Sequence, residues 1–148
     1  MQEHRRTKAR TIGLVMLTPA AVVLVALGLL GRSPDSVVPI RFVEAPPPGV
    51  STNAEAFITG DAEAIYLITS TAPFRRAQRG QFEPGALNAY RRIASIVVHE
   101  EWHLRHGPDE EGAYLAQMTA LAFLRADAAT ISGVKKSMLT VIEAQRRR

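Results

Sequence analysis

The 148-residue chain has no cysteine, a single tryptophan and only four histidines. The absence of cysteine excludes a disulfide framework, a cysteine-ligated zinc site and a thiol nucleophile. Most of the chain also lacks an excess of basic over acidic residues. Although the net charge is +4, residues 31–148 contain fourteen Lys and Arg against thirteen Asp and Glu. Because the basic residues there are scattered, apart from the last three arginines, no nucleic-acid partner is expected.

Charged residues are absent from one long stretch near the N-terminus. Residues 12–30 carry no charge, and as a helix this stretch would span roughly the hydrocarbon thickness of a bilayer. Four basic residues precede it, which places the N-terminus in the cytoplasm. We therefore expect a basic cytoplasmic head (1–10), a single-pass transmembrane anchor (11–31) and an extracytoplasmic remainder. A cleavable signal peptide is the alternative, and the length of the stretch disfavours it.

Five of the nine prolines lie in the next segment, residues 32–55. This composition favours an extended linker. Within it, the apolar piece Ile40–Val43 could instead be an edge strand, and the sequence leaves the choice open. Residues 56–148 then form the folded domain.

The domain pattern mixes strands with helices, so that the expected fold class is α+β. Two β-prone pieces, 56–59 and 64–69, are separated by turn residues and predict a hairpin or two adjacent strands. A long helix is predicted from Pro84 to His106, because apolar residues cover most of its surface and Gly107 and Pro108 end it. A second helix at about 110–125 and a C-terminal helix with an apolar stripe over 131–142 follow.

The long helix ends in the sequence His99-Glu100-Glu101-Trp102-His103, an HExxH pattern. On a helix this spacing puts both imidazoles on one face, one turn apart, so that they can bind a single zinc ion. Glu100 would lie beside such an ion and could act as a general base.

A third protein ligand is needed, because catalytic zinc sites use three side chains and keep one position for water. Glu110 can supply it, and shares a helix face with Tyr114 and Gln117, which would then line the site. Glu111 points about 100° away and is the alternative. His106 is a weaker alternative, since it shares one helix with the other two histidines and would crowd them.

The HExxH pattern followed by Glu110-Glu111-Gly112-Ala113 resembles the gluzincin class of zinc metallopeptidases, in which the HExxH helix is followed by a glutamate helix with an ExxA pattern. The resemblance covers residues 84–123. It implies a small zincin-like domain in which a short sheet, the HExxH helix, the glutamate helix and a C-terminal helix follow the membrane anchor.

The same resemblance implies that His99, His103 and Glu110 bind Zn²⁺ and that Glu100 is general base and acid in peptide-bond hydrolysis. The chain departs from the class at Tyr114, where several families carry an acidic residue. The hydroxyl of Tyr114 could instead polarise the scissile carbonyl.

The function expected from these residues is that of a membrane-anchored zinc peptidase with a peptide or protein substrate. The alternative is a non-catalytic, membrane-tethered zinc-binding or regulatory protein. In that alternative a fourth protein ligand, Glu111 or His106, would close the coordination shell.

Overall fold

The computed structural model describes residues 16–80 and 82–148. Within these residues the chain is an α+β fold with five α-helices and a three-stranded sheet. The elements in chain order are α1 (Pro19–Leu29), β1 (Ile40–Val43), β2 (Ala56–Ile58), β3 (Ile65–Ile68), α2 (Ala72–Gln78), α3 (Ala86–His106), α4 (Glu110–Phe123) and α5 (Ala128–Arg146).

The sheet has the strand order β1-β3-β2, with β3 in the centre. β1 runs parallel to β3, with Ile40 opposite Ile65, and β2 runs antiparallel to it, with Ala56 opposite Leu67. The predicted pair of adjacent strands is therefore present. The piece Ile40–Val43, which the sequence left open, is an edge strand, so that part of the segment predicted as a linker belongs to the sheet.

α3 is the helix against which α1, α2, α4 and the sheet pack. Its side chains Tyr90, Ile93 and Val97 are buried in the core. The hydroxyl of Tyr90 donates a hydrogen bond to the carbonyl of Ala77 at 2.6 Å, which fixes α3 against α2. The prediction of a buried helix that leads into the HExxH pattern is confirmed.

The uncharged stretch near the N-terminus folds differently from the prediction. α1 has eleven residues, so it extends about 16 Å, roughly half the hydrocarbon thickness of a bilayer. No helix among residues 16–80 and 82–148 is both long and apolar enough to cross a membrane. The predicted transmembrane anchor at 11–31, and the single-pass membrane location inferred from it, are therefore wrong. Residues 11–15 of that stretch and the predicted basic head lie outside the described residues.

The apolar character of α1 has a different physical reason, which is packing in the protein core. Val22, Val23, Ala26 and Leu27 form one buried stripe of the helix, and they belong to the same apolar cluster as the core residues of α3. A helix that is apolar all round suits either a membrane or a protein interior. Hydropathy alone does not distinguish these two environments.

Candidate metal centre

The two histidines of the HExxH pattern face the same side of α3 at its C-terminal end. Their Nε2 atoms lie 3.2 Å apart. His99 is buried and His103 is partly buried, so that each imidazole has little freedom to turn. The helix spacing of four residues therefore brings both nitrogens to one point, as predicted.

α4 places Glu110 opposite these nitrogens. Gly107, with φ of 84°, ends α3, and Asp109 caps the start of α4 by accepting a hydrogen bond from the N–H of Gly112 at 3.2 Å. Glu110 is the first residue of α4, and its Oε2 lies 3.3 Å from Nε2 of His99 and 3.4 Å from Nε2 of His103. The short connection between the helices thus completes a group of three donor atoms.

A close contact between the two helices fixes the distance of Glu110 from the histidines. The ring of Trp102 on α3 lies directly against Gly112 on α4, where an added Cβ atom would collide with it. Glycine at this position lets the first turn of α4 approach α3 closely. The only sequence signal for this contact is a glycine inside a helical pattern, which often marks a packing constraint.

His99, His103 and Glu110 can hold a metal ion. The donor set of two imidazole nitrogens and one carboxylate oxygen suits a divalent transition metal. Every pair of the three donor atoms is 3.2 to 3.4 Å apart, so they form a nearly equilateral triangle.

The second ring nitrogen of each imidazole, Nδ1, also has a hydrogen-bond partner. Nδ1 of His103 lies 2.8 Å from the carbonyl oxygen of Gly107. Because a carbonyl oxygen can only accept, Nδ1 of His103 carries a proton. Nδ1 of His99 lies 3.0 Å from Oε1 of the buried Gln117. Such partners orient imidazoles that bind metals.

The metal-free triangle behaves as an ion pair. The hydrogen bond with Glu110 raises the pKa of His103 to about 9, against the opposing effect of burial. Burial disfavours ionisation of Glu110, but the hydrogen bond from His103 and the proximity of both imidazoles outweigh it and lower its pKa to about 2. The carboxylate of Glu110 is thus ionised over the whole physiological range, as a metal ligand has to be.

Glu100 lies next to the triangle on α3 and is buried. Burial raises the pKa of Glu100, and the charge of Glu110 acts in the same direction, while His99 and His103 act against it. A carboxylate with a raised pKa is a better proton acceptor than an exposed one.

Tyr114 contacts the triangle from α4, and its ring packs edge-on against that of His99 with a centroid distance of 4.6 Å. Burial raises the pKa of Tyr114 to about 12, and the carboxylates of Glu110, Glu55 and Glu100 add to this effect. Its hydroxyl therefore keeps its proton at neutral pH and can donate a hydrogen bond. The prediction that Tyr114 and Gln117 line the site is confirmed.

The two alternative ligands point elsewhere. The ring of His106 stacks on that of Trp102 at a centroid distance of 4.4 Å, and its Nδ1 lies 3.1 Å from the backbone carbonyl of Trp102. Glu111 lines a groove between α4 and α5 beside Leu115 and Ile142. Among the residues that the structure describes, no fourth histidine, aspartate or glutamate joins the group.

Two ion pairs tie α3 to other parts of the domain. Arg32, after α1, pairs with the buried Glu101 at 2.5 Å. Arg92, two turns before His99, forms a bidentate ion pair with Glu55, in which its Nε and Nη2 donate to the two carboxylate oxygens at 2.8 and 3.1 Å. Because Glu55 directly precedes β2, this second pair holds the edge strand beside the helix. Neither pair was predicted from the sequence, since both join residues far apart in the chain.

The three donor atoms, the buried Glu100 and the protonated Tyr114 all lie within two helices that the sequence placed correctly. No family model matches the chain, and no curated protein or solved structure is significantly similar to it.

Proposed function

We propose that the protein is a zinc-dependent peptidase with a gluzincin-like site. The observation that carries this proposal is the triangle of donor atoms, with sides of 3.2, 3.3 and 3.4 Å. Three ligands bound tetrahedrally to zinc at about 2.0–2.1 Å would lie about 3.3 Å apart. Octahedral coordination at the same bond lengths would set neighbouring ligands about 2.9 Å apart. The sides of the triangle are compatible with the tetrahedral geometry that zinc prefers.

When bound, zinc supplies Lewis acidity, which polarises a carbonyl and makes a water molecule easier to deprotonate. Glu100 is the residue that takes the proton from this water. Its burial and its raised pKa suit a group that accepts a proton and then returns it to the leaving amine. Tyr114 keeps its hydroxyl proton and donates a hydrogen bond to the negative charge that develops on the carbonyl oxygen.

A peptide is the substrate class that the surroundings of the site support. β2 is at the edge of the sheet, beside α3, and the pair of Glu55 with Arg92 holds it there. An edge strand offers unpaired backbone groups to which an extended peptide can add as a further strand. The charge of Glu55, which directly precedes β2, also adds to the raised pKa of Tyr114, and this supports a substrate strand at that edge.

Three protein ligands rather than four support a catalytic role over a purely structural one. Structural zinc sites are closed by four side chains, whereas catalytic sites leave a position for water. The orientations of Glu111 and His106 described above leave the triangle with three ligands among the described residues.

The proposal is tested on the full-length chain, because α1 is part of the core. We expect one zinc per chain in the wild type and in Glu100→Gln, and none in His103→Ala. A mixture of quenched fluorescent peptides should be cleaved by the wild type but by neither Glu100→Gln nor His103→Ala. The matched control is His106→Ala, which should keep both zinc and cleavage.

The possible outcomes separate the two functions. A wild-type chain without stoichiometric zinc would overturn the metal centre. Stoichiometric zinc without cleavage of any peptide in the mixture, in a folded protein, would overturn the peptidase and favour a zinc-binding protein without turnover.

A further inference from the structure

A buried chain of hydrogen bonds leads from His99 into the contact between α3 and α4. Oε1 of Gln117 lies 3.0 Å from Nδ1 of His99, and Nε2 of Gln117 donates to Oγ of Ser95 at 3.2 Å. The hydroxyl of Ser95 donates in turn to the backbone carbonyl of Arg92 at 2.6 Å. Both Gln117 and Ser95 are buried, so that water does not compete for these bonds.

The direction of each bond follows from the number of protons available. A serine hydroxyl has one proton, and the carbonyl of Arg92 can only accept, so Ser95 gives its proton to Arg92. Towards Gln117, Ser95 can then act only as an acceptor. The amide nitrogen of Gln117 must therefore face Ser95, and its oxygen must face His99.

The orientation of the amide decides the tautomer of His99. Because the oxygen of Gln117 only accepts, the proton of a neutral His99 belongs on Nδ1. Nε2 of His99 then has a free lone pair, and this is the nitrogen that points at His103 and Glu110. The opposite tautomer would put a proton where the metal has to bind.

We propose that Gln117 is a positioning residue which holds His99 in its metal-binding tautomer, and that Ser95 prevents the side-chain amide of Gln117 from flipping, which would exchange the positions of its oxygen and nitrogen. A carboxylate has two equivalent oxygens and needs no such lock, whereas a reversed amide would present its N–H₂ to His99. This inference rests on the proposed metal centre but does not require catalysis.

The first test is the tautomer of His99 in the metal-free, full-length protein, read from long-range ¹H–¹⁵N NMR correlations under conditions where His99 is neutral. We expect the proton on Nδ1 in the wild type. A proton on Nε2 in the wild type would overturn the proposal. Because this measurement uses no zinc and no substrate, its result is independent of whether the protein is a peptidase.

The second test is zinc affinity, measured by competition with a chromophoric chelator. Gln117→Leu should bind zinc about 10 to 100-fold more weakly, and Gln117→Glu, which restores an acceptor, should recover most of the loss. Ser95→Ala should show a smaller loss together with a mixed tautomer of His99. The matched control is Ser137→Ala on α5, which removes a hydroxyl that also donates to a backbone carbonyl, that of Gly133, and should change neither reading.

A folded Gln117→Leu with the wild-type affinity would overturn the proposal. If Gln117→Leu does not fold, the Ser95→Ala variant tests the proposal instead. An unchanged His99 tautomer and an unchanged zinc affinity in that variant would show that Ser95 does not fix the orientation of the Gln117 amide, and would overturn the proposal. If zinc binding falls in these variants while the zinc-loaded wild type cleaves no peptide, the peptidase is overturned and the positioning role stands.

Discussion

Among single residues, Tyr114 has a specific role in the proposed peptidase, in which its hydroxyl would stabilise negative charge on the peptide carbonyl. We expect Tyr114→Phe to lower kcat by about 10²-fold, the usual cost of losing one such donor, with little change in KM or in zinc content. Steady-state cleavage of a fluorogenic peptide measures this. Tyr66→Phe is the matched control, because Tyr66 stacks on Phe57 in the sheet. Equal losses in the two variants would contradict the role.

The proton on His103 predicts that zinc binding depends on pH. With a pKa of about 9, His103 is protonated in the metal-free protein at neutral pH, and zinc has to displace that proton. Zinc affinity should therefore rise about tenfold per pH unit up to about pH 9. Calorimetry in two buffers of different ionisation enthalpy should show about one proton released at pH 7. His106→Ala should leave this release unchanged, and a pH-independent affinity would contradict the prediction.

The grouping of the three candidate ligands could be predicted from the sequence because its geometry is local. The spacing of His99 and His103 fixes a shared helix face, and the phase of α4 separates Glu110 from Glu111 by about 100°. The lock on His99 could not be predicted in the same way. Gln117 and Ser95 are 22 residues apart in the chain, and nothing in their residue types says that their side chains meet.

Among the structural elements, the approach of α4 to α3 depends on Gly112. Alanine usually stabilises a helix relative to glycine, but here its Cβ would collide with Trp102 and lie 2.9 Å from Oδ2 of Asp109. We expect Gly112→Ala to lower the free energy of unfolding by about 1–3 kcal/mol and to weaken zinc binding, since Glu110 moves with the first turn of α4.

The control for this prediction is a glycine in another helix. A Cβ atom at Gly28 on α1 would meet no other atom within 4 Å, so Gly28→Ala should be neutral or add up to about 1 kcal/mol. Urea unfolding and chelator competition measure both variants. A Gly112→Ala protein as stable as the wild type, with unchanged zinc affinity, would show that the helix contact is not tight.

The packing of α1 gives a second prediction at this scale. Substitutions in this helix can distinguish a helix of the protein core from the membrane anchor that hydropathy suggested. Leu27 is fully buried and Leu24 is 54% exposed on the same helix. We expect Leu27→Ala to cost about 2–5 kcal/mol of unfolding free energy and Leu24→Ala less than about 0.5 kcal/mol. Urea unfolding of the full-length chain measures both. Similar small effects for the two substitutions would mean that α1 does not pack in the core.

The sequence indicated where α1 lies but not what surrounds it. Val22, Val23 and Leu27 have the same hydropathy in a lipid and in a protein interior, and only their contacts with α3 distinguish the two. The parallel pairing of β1 with β3 could not be predicted from the sequence, for a similar reason. Ile40 and Ile65 are far apart in the chain, and a short apolar piece between prolines fits a strand as well as a linker.

For the whole molecule, the pH dependence of stability should differ with and without zinc. The pKa of His103 is raised from 6.5 to about 9 on folding, so its contribution is complete below pH 6.5 and disappears as the pH rises through 9. The pKa of Glu110 is lowered from 4.5 to about 2, so its contribution is complete above pH 4.5 and disappears as the pH falls through 2. Taken together, these two groups should stabilise the metal-free protein most between pH 4.5 and 6.5.

Zinc cancels the loss of stability on the upper side of this profile, because it binds the folded chain after His103 has lost its proton. A ligand that binds only the folded state stabilises it by an amount that grows with the logarithm of its affinity. From pH 6.5 to 9 the free energy of unfolding of the metal-free protein should fall. The difference between this free energy and that of the zinc-bound protein should therefore grow with pH. Urea unfolding in excess chelator and in buffered zinc measures both curves. In His103→Ala the two curves should coincide. A separation in the wild type that stays constant with pH would mean that zinc does not compete with the proton on His103, and the ligand assignment would have to change.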